Sequence, residues 1–194
     1  MLPLLLTATA FSAPNPPDPS PKYSLDTSYV AQALRPGLRI AAEQQLWSSA
    51  RERKFTDEQL IREFTGSAGF MGWWHPHNQT PLLATAELGF RRTGTFWGFQ
   101  KEALLGIGMG YAINGGRTYS YTDSGELKGN PLGGRGVIAP SLGLGFGQEL
   151  SHIKPKLTAS WHVRGRLHYQ WPYNVAGAPV FTVELGISRP WSGL

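Results

Sequence analysis

The chain has 194 residues, enough for one ordinary domain, and no cysteine, which excludes disulfides and thiolate metal sites. With 24 glycines, 15 prolines, 12% aromatic and only 16% charged residues, it is unlike a helical globular protein and suits many strands joined by turns. The net charge of +5 is spread from Lys22 to Arg189, so the clustered basic footprint of a nucleic-acid binder is missing.

Residues 1–13, MLPLLLTATAFSA, form a short apolar run rising to small residues and resemble the end of a secretory signal peptide. The proline-rich segment 14–35 follows, and its later part, Tyr23 to Leu34, is the best candidate for a first strand ahead of the turn signal Arg35-Pro36-Gly37. Residues 36–194 read as one β-domain. No stretch of 18 apolar residues occurs, so no spanning helix is expected, and strands must do any membrane crossing.

Gly37 to Ser49 alternates moderately, with Leu38, Ile40, Ala42 and Leu46 opposing Arg39, Glu43 and Gln45. The polar stretch Ser48 to Glu63 is expected to hold a short helix or a loop. Phe64 to His75 is rich in glycine and aromatics, with ambiguous facing. Pro81 to Arg92 alternates clearly, Leu82, Ala84, Ala86, Leu88 and Phe90 facing away from Thr85, Glu87, Gly89 and Arg91. In Trp97 to Ile113 and Val137 to Leu150, apolar residues alternate with glycines; a narrow barrel lumen, which leaves room only for small side chains beside larger ones, gives those glycines a reason. Asn114 to Gly134 is the longest loop.

Lys156 to Tyr173 carries the clearest pattern. Leu157, Ala159, Trp161, Val163, Leu167, Tyr169 and Trp171 lie on one face; Lys156, Thr158, His162, Arg164, Arg166, His168 and Gln170 lie on the other. Such alternation outlasts the 9–11 residues or so that a tilted strand needs to cross hydrocarbon. Ala178 to Trp191 repeats it. Seven segments thus read as strands, and because barrels of one chain favour even numbers, Tyr23 to Leu34 is expected to supply an eighth. The fold class is all-β: a single antiparallel up-and-down transmembrane β-barrel of about eight strands.

Alternation alone does not say which face is inside. A lipocalin-like barrel turns its apolar face inward around a ligand, whereas a membrane barrel turns it to lipid. Trp73, Trp74, Trp97, Trp171, Tyr173 and Trp191 fall toward strand ends, where an interfacial aromatic girdle belongs, and favour the second arrangement. Its lumen would gather Arg39, Glu43, Glu87, Arg91, Glu102, Glu149, Lys156, Arg164, Arg166 and Glu184, five acids and five bases able to neutralise one another. A hairpin symmetric about Val175 would set Arg166 opposite Glu184.

The ending Glu184-Leu185-Gly186-Ile187-Ser188-Arg189-Pro190-Trp191 resembles the terminal-strand signal of bacterial outer-membrane proteins, with Arg189 standing where an apolar residue is usual. From about Pro36 onward the chain is similar in layout to small outer-membrane barrel proteins, including short ones of Bacteroidota-type bacteria with a comparable turn, matched here by Trp74, Pro76, Asn78 and Thr80. The resemblance implies fold and outer-membrane location, with outer-membrane lipid and other envelope proteins as partners, and carries no activity.

Other constellations are weak. His75-Pro76-His77 has no carboxylate close in sequence to complete a metal site, and His162 and His168 are six positions apart on one strand face, too far at about 3.3 Å per residue to share an ion. Ser151-His152 invites comparison with the serine and histidine of outer-membrane lipid deacylases, but neighbours on a strand face opposite ways. Gly106-Ile107-Gly108-Met109-Gly110 precedes no helix and fails as a dinucleotide fingerprint. No motif implies a cofactor. The functions in view are a structural, adhesive or partner-binding membrane barrel without a wide pore, a lipid-modifying enzyme, and a soluble ligand-binding barrel.

Overall fold

A computed structural model describes residues 22–32, 35–53, 56–75, 79–95, 97–115, 119–121, 124–129, 133–154, 156–173 and 176–191. The signal-like segment, the stretch from 14 to 21, the turn residues Pro76 and Asn78, and the side chain of Tyr173 lie outside the described residues. The strands in chain order are β1 (Tyr23–Gln32), β2 (Arg35–Arg53), β3 (Thr56–Trp73), β4 (Gln79–Gly94), β5 (Phe99–Asn114), β6 (Tyr119–Tyr121), β7 (Leu127–Gly129), β8 (Gly134–Glu149), β9 (Ser160–Tyr173) and β10 (Ala176–Pro190).

Eight of these close into an antiparallel ring in the order β1-β10-β9-β8-β5-β4-β3-β2, while β6 and β7 pair as a small hairpin inside the loop between β5 and β8. Apart from the closing contact, each barrel strand pairs with the barrel strand next in sequence, the up-and-down arrangement that the alternating segments predict. Tyr23 to Gln32 is indeed the eighth strand: it joins Ser24 to Pro190 on one side and Ser24 to Glu43 on the other. Both chain ends of the barrel therefore share one rim, here the terminal rim, and the long loop lies at the opposite, loop rim.

The polarity of the barrel is the reverse of a soluble core. Outward positions carry Leu38, Phe70, Leu82, Leu105, Leu142, Leu167, Phe181 and Leu185, all exposed, whereas the lumen holds Arg39, Arg164, Arg166 and Glu184, each at most 2% exposed. Small residues make that lumen possible. A Cβ on Gly145 would run into the Glu102 carboxylate, and one on Gly186 would run into Ser28 and His162.

Several expectations are corrected. Among the described residues, Ser48 to Glu63 is strand where a short helix or loop was expected; β2 continues to Arg53 and β3 starts at Thr56, paired from Ser48↔Glu63 to Arg53↔Thr56. The sequence there is mostly polar, so the period-two signal fades although the ladder persists. A shift between Gln45 and Trp47 lets Leu46 and Trp47 both face outward. β9 begins only at Ser160, which leaves Lys156 exposed outside the barrel wall rather than in the lumen. Trp97 precedes β5 in a turn. A register shift between Ala176 and Ala178 displaces the last hairpin, so Arg164, not Arg166, stands opposite Glu184, and Arg166 reaches that carboxylate diagonally. The displacement is an even number of residues, so both side chains keep the inward face.

Candidate functional site

The lumen is built in three layers. Nearest the loop rim, Val30, Met71, Trp73, Leu83, Ala112, Val137, Ala139 and Val180 form an apolar plug. Trp73 is 3% exposed and belongs to this plug, which corrects its assignment to the girdle; its neighbour Trp74 is 60% exposed on the outer face. His168 packs its ring 5.9 Å from that of Trp73 and lies 3.2 Å from the Thr182 hydroxyl, capping the plug from below.

The middle layer is a continuous ion-pair network. Arg39 donates to Asp26 at 2.8 Å and to Glu87 at 2.7 Å; Arg166 also binds Glu87 and pairs with Glu184 at 2.8 Å. Arg164 donates to Asp26 at 2.7 Å and to Glu102, and Arg91 links Glu102 at 3.3 Å to Glu43 at 2.9 Å. Six of the eight barrel strands, β1, β2, β4, β5, β9 and β10, carry these charges and are thereby tied across the axis. A buried charge stripped of its partner costs several kcal/mol, so each arginine here needs its carboxylates.

Within this layer Ser28, Asp26 and His162 resemble a hydrolytic triad in composition only. The Ser28 hydroxyl lies 3.0 Å from His162 Nε2, and the Asp26 carboxylate lies 3.4 Å from the same nitrogen. A relay needs the nucleophile and the acid on different ring nitrogens, so these residues cannot pass a proton as a triad does. All three are buried away from either mouth. Asp26 and Ser28 are among the lumen residues that the sequence reading missed; their signal was the period-two set Asp26, Ser28, Val30, masked by the small outward residues Thr27 and Ala31.

The third layer, at the terminal rim, is an open polar cavity of about 520 Å³ lined by Glu43, Glu63, Thr65, Arg91, Gln100, Glu149, Ser188 and Trp191, among others. Glu149 sits at this mouth, accepting from Gln100 at 3.2 Å, rather than deep in the lumen. Ser151 also lines it, but His152 turns away: its Nε2 lies 2.9 Å from the Thr95 carbonyl oxygen and latches the neighbouring turn. The adjacent pair therefore lacks a nucleophile-to-base contact.

Outside, aromatic side chains gather at two levels. Near the terminal rim Trp47, Phe64 and Phe90 pack in a row, with Arg92 over the Phe90 ring, and Phe99, Phe146 and Trp161 form a second row. Trp97 and Trp191 are exposed beside them; Trp74, Tyr111 and Trp171 are exposed toward the loop rim.

No protein-family model and no curated protein matches the chain. Among solved structures it is similar to the outer membrane enzyme PagL, with a TM-score of 0.43 and 14% identity over 87% of this chain and 99% of that one. No residue role is carried over from that likeness.

Proposed function

We propose that the chain is an integral outer-membrane β-barrel, of the small kind found in Bacteroidota-type bacteria, with a structural, adhesive or partner-binding role. The observation that carries the proposal is the pairing of an apolar outer wall with a charged lumen, framed by aromatics at both rims. Trp161 and Trp171 lie ten residues apart on β9, as do Phe64 and Trp74 along β3 and its end. At about 3.3 Å per residue and a tilt of about 40°, that separation is about 25 Å along the axis, the height of a lipid-facing band. The rows at each rim then serve as the interfacial girdle.

In this orientation the terminal rim faces the periplasm, and the long loop with its β6–β7 hairpin faces outward, where partner contacts fall. The apolar plug and the ion network leave no room for a wide diffusion pore. A soluble lipocalin-like role is disfavoured by the same polarity, because its ligand would meet arginines and carboxylates in place of an apolar pocket. A lipid-modifying role gains nothing from Ser151 and His152 as they stand.

A heat-modifiability gel on membrane fractions tests the proposal: the folded barrel, found in the outer-membrane fraction, migrates differently before and after boiling. Recovery of the mature chain in the soluble fraction, without such a shift, refutes it.

A further inference from the structure

We propose that the cavity at the terminal rim is a binding site for a small polyhydroxylated ligand bearing an amine, such as an amino sugar. This goes beyond the membrane assignment and does not depend on it, since the cavity is part of the lumen whatever surrounds the wall.

The cavity is blind: the ion network forms its floor, and the apolar plug closes the barrel behind that. At about 520 Å³ it lies within the usual range for small-molecule sites. Two of its lining side chains are more than nine-tenths buried and yet carry hydroxyls with no partner among the described residues: Thr65, 4% exposed, and Ser188, 7% exposed. Neither oxygen is sealed from the cavity, so each is left to water or to a ligand, and a ligand rich in hydroxyl groups supplies the partner.

Charge narrows the class. Against Lys22 and Arg91 the wall sets Glu43, Glu63 and Glu149. Arg91 is already held by Glu43 at 2.9 Å and Glu102 at 3.3 Å, and it stands 4.0 Å from Glu63. Glu149 has only Gln100 at 3.2 Å and, at 3.6 Å, the ring of His152. Glu63 has only a share of Arg91 at 4.0 Å and the nearby Lys22, and Glu149 has no lysine or arginine partner among the described residues, so Glu149 is the least compensated carboxylate of the cavity. No three acidic or histidine side chains among the described residues converge as metal ligands, so a bare cation is not gripped here. An ammonium carried on a polar body fits: the nitrogen sits between Glu63 and Glu149, hydroxyls reach Thr65 and Ser188, and the exposed Trp191 at the mouth offers a face to the ring.

The test is calorimetric titration of the refolded barrel in detergent micelles with glucosamine, and with glucose as the neutral match. Saturable one-to-one binding of glucosamine is expected, with a dissociation constant on the order of millimolar, and about tenfold weaker binding of glucose. The E63Q/E149Q double variant is expected to lose about tenfold in glucosamine affinity while keeping its heat-modifiable band; should that variant not fold, Glu149→Gln alone, on the rim, is expected to weaken binding several-fold. The proposal is overturned by the absence of saturable glucosamine binding, by glucose binding equally well, or by a folded carboxylate variant that binds as the parent does.

Discussion

Asp26 and Arg164 are 138 residues apart in the chain and 2.7 Å apart in the lumen. Asp26 lies on β1 and Arg164 on β9, with β10 between them, so this contact straddles the junction at which the barrel closes. Asp26 also takes a hydrogen bond from Arg39 at 2.8 Å and one from Ser28 at 2.9 Å. One carboxylate thus serves two arginines from either side of the junction.

Asp26→Ala leaves both guanidinium groups short of their shared partner. It is expected to lower unfolding stability by about 3–5 kcal/mol, against about 1 kcal/mol for Ser28→Ala. Urea titration of the barrel refolded in lipid vesicles measures both; equal effects would remove Asp26 from its central place in the network.

Leu142 and Leu127 are both 62% exposed, but Leu142 lies midway along the outer wall on β8 while Leu127 sits in the loop hairpin. Leu142→Arg is expected to cost about 2–4 kcal/mol in vesicles, because the charge enters hydrocarbon, and Leu127→Arg close to nothing. Similar small effects at both sites would mean that water, rather than lipid, covers the wall.

Trp73 fills the plug and Trp74 stands on the outer surface. Trp73→Ala opens a void among Met71, Leu83 and Val180 and is expected to cost about 3–5 kcal/mol, with Trp74→Ala costing less than half as much. Thermal or urea unfolding of the two variants distinguishes an inward from an outward Trp73.

A Cβ at Gly69 would collide with the Ile40 carbonyl oxygen and the Ala41 backbone on β2, which cannot step aside as a side chain does. Gly136 has only the Gly110 oxygen, 3.9 Å from such a Cβ. Gly69→Ala is therefore expected to lose about 1–3 kcal/mol and Gly136→Ala much less, read from the shift in urea midpoint. If the ranking reverses, the close approach of β2 and β3 at Gly69 is wrong.

The strands that could be read from the sequence are those whose two faces meet different surroundings along their whole length. On β9, Arg164, Arg166 and His168 face the lumen while Val163, Leu167 and Tyr169 face out, and the contrast is complete. On β1 it is weak, since Val30 faces in and Thr27 and Ala31 face out, so the strand is fixed by its partners β2 and β10 rather than by its own pattern. Ser48 to Glu63 lies beyond the apolar band, where period two carries no hydrophobic meaning. Trp73 and Trp74 show a further limit: adjacent aromatics point opposite ways, and only the register with Gly37 on β2 decides which one is inside. The network carboxylates other than Asp26 were legible as inward positions; which arginine each one meets was not, because cross-lumen distances depend on the stagger of strands far apart in sequence.

Because Ser24 must find Pro190 before the ring exists, the ladder that closes it joins the two parts of the barrel most distant in sequence. Bringing such remote segments together is entropically slow, and until it happens β1 and β10 each present an unpaired edge. A half-made cylinder of this kind is prone to adopt strands from other copies of itself. Assembly of this protein is consequently a race between self-closure and aggregation, in which a surface or assistant that shields either edge tips the outcome.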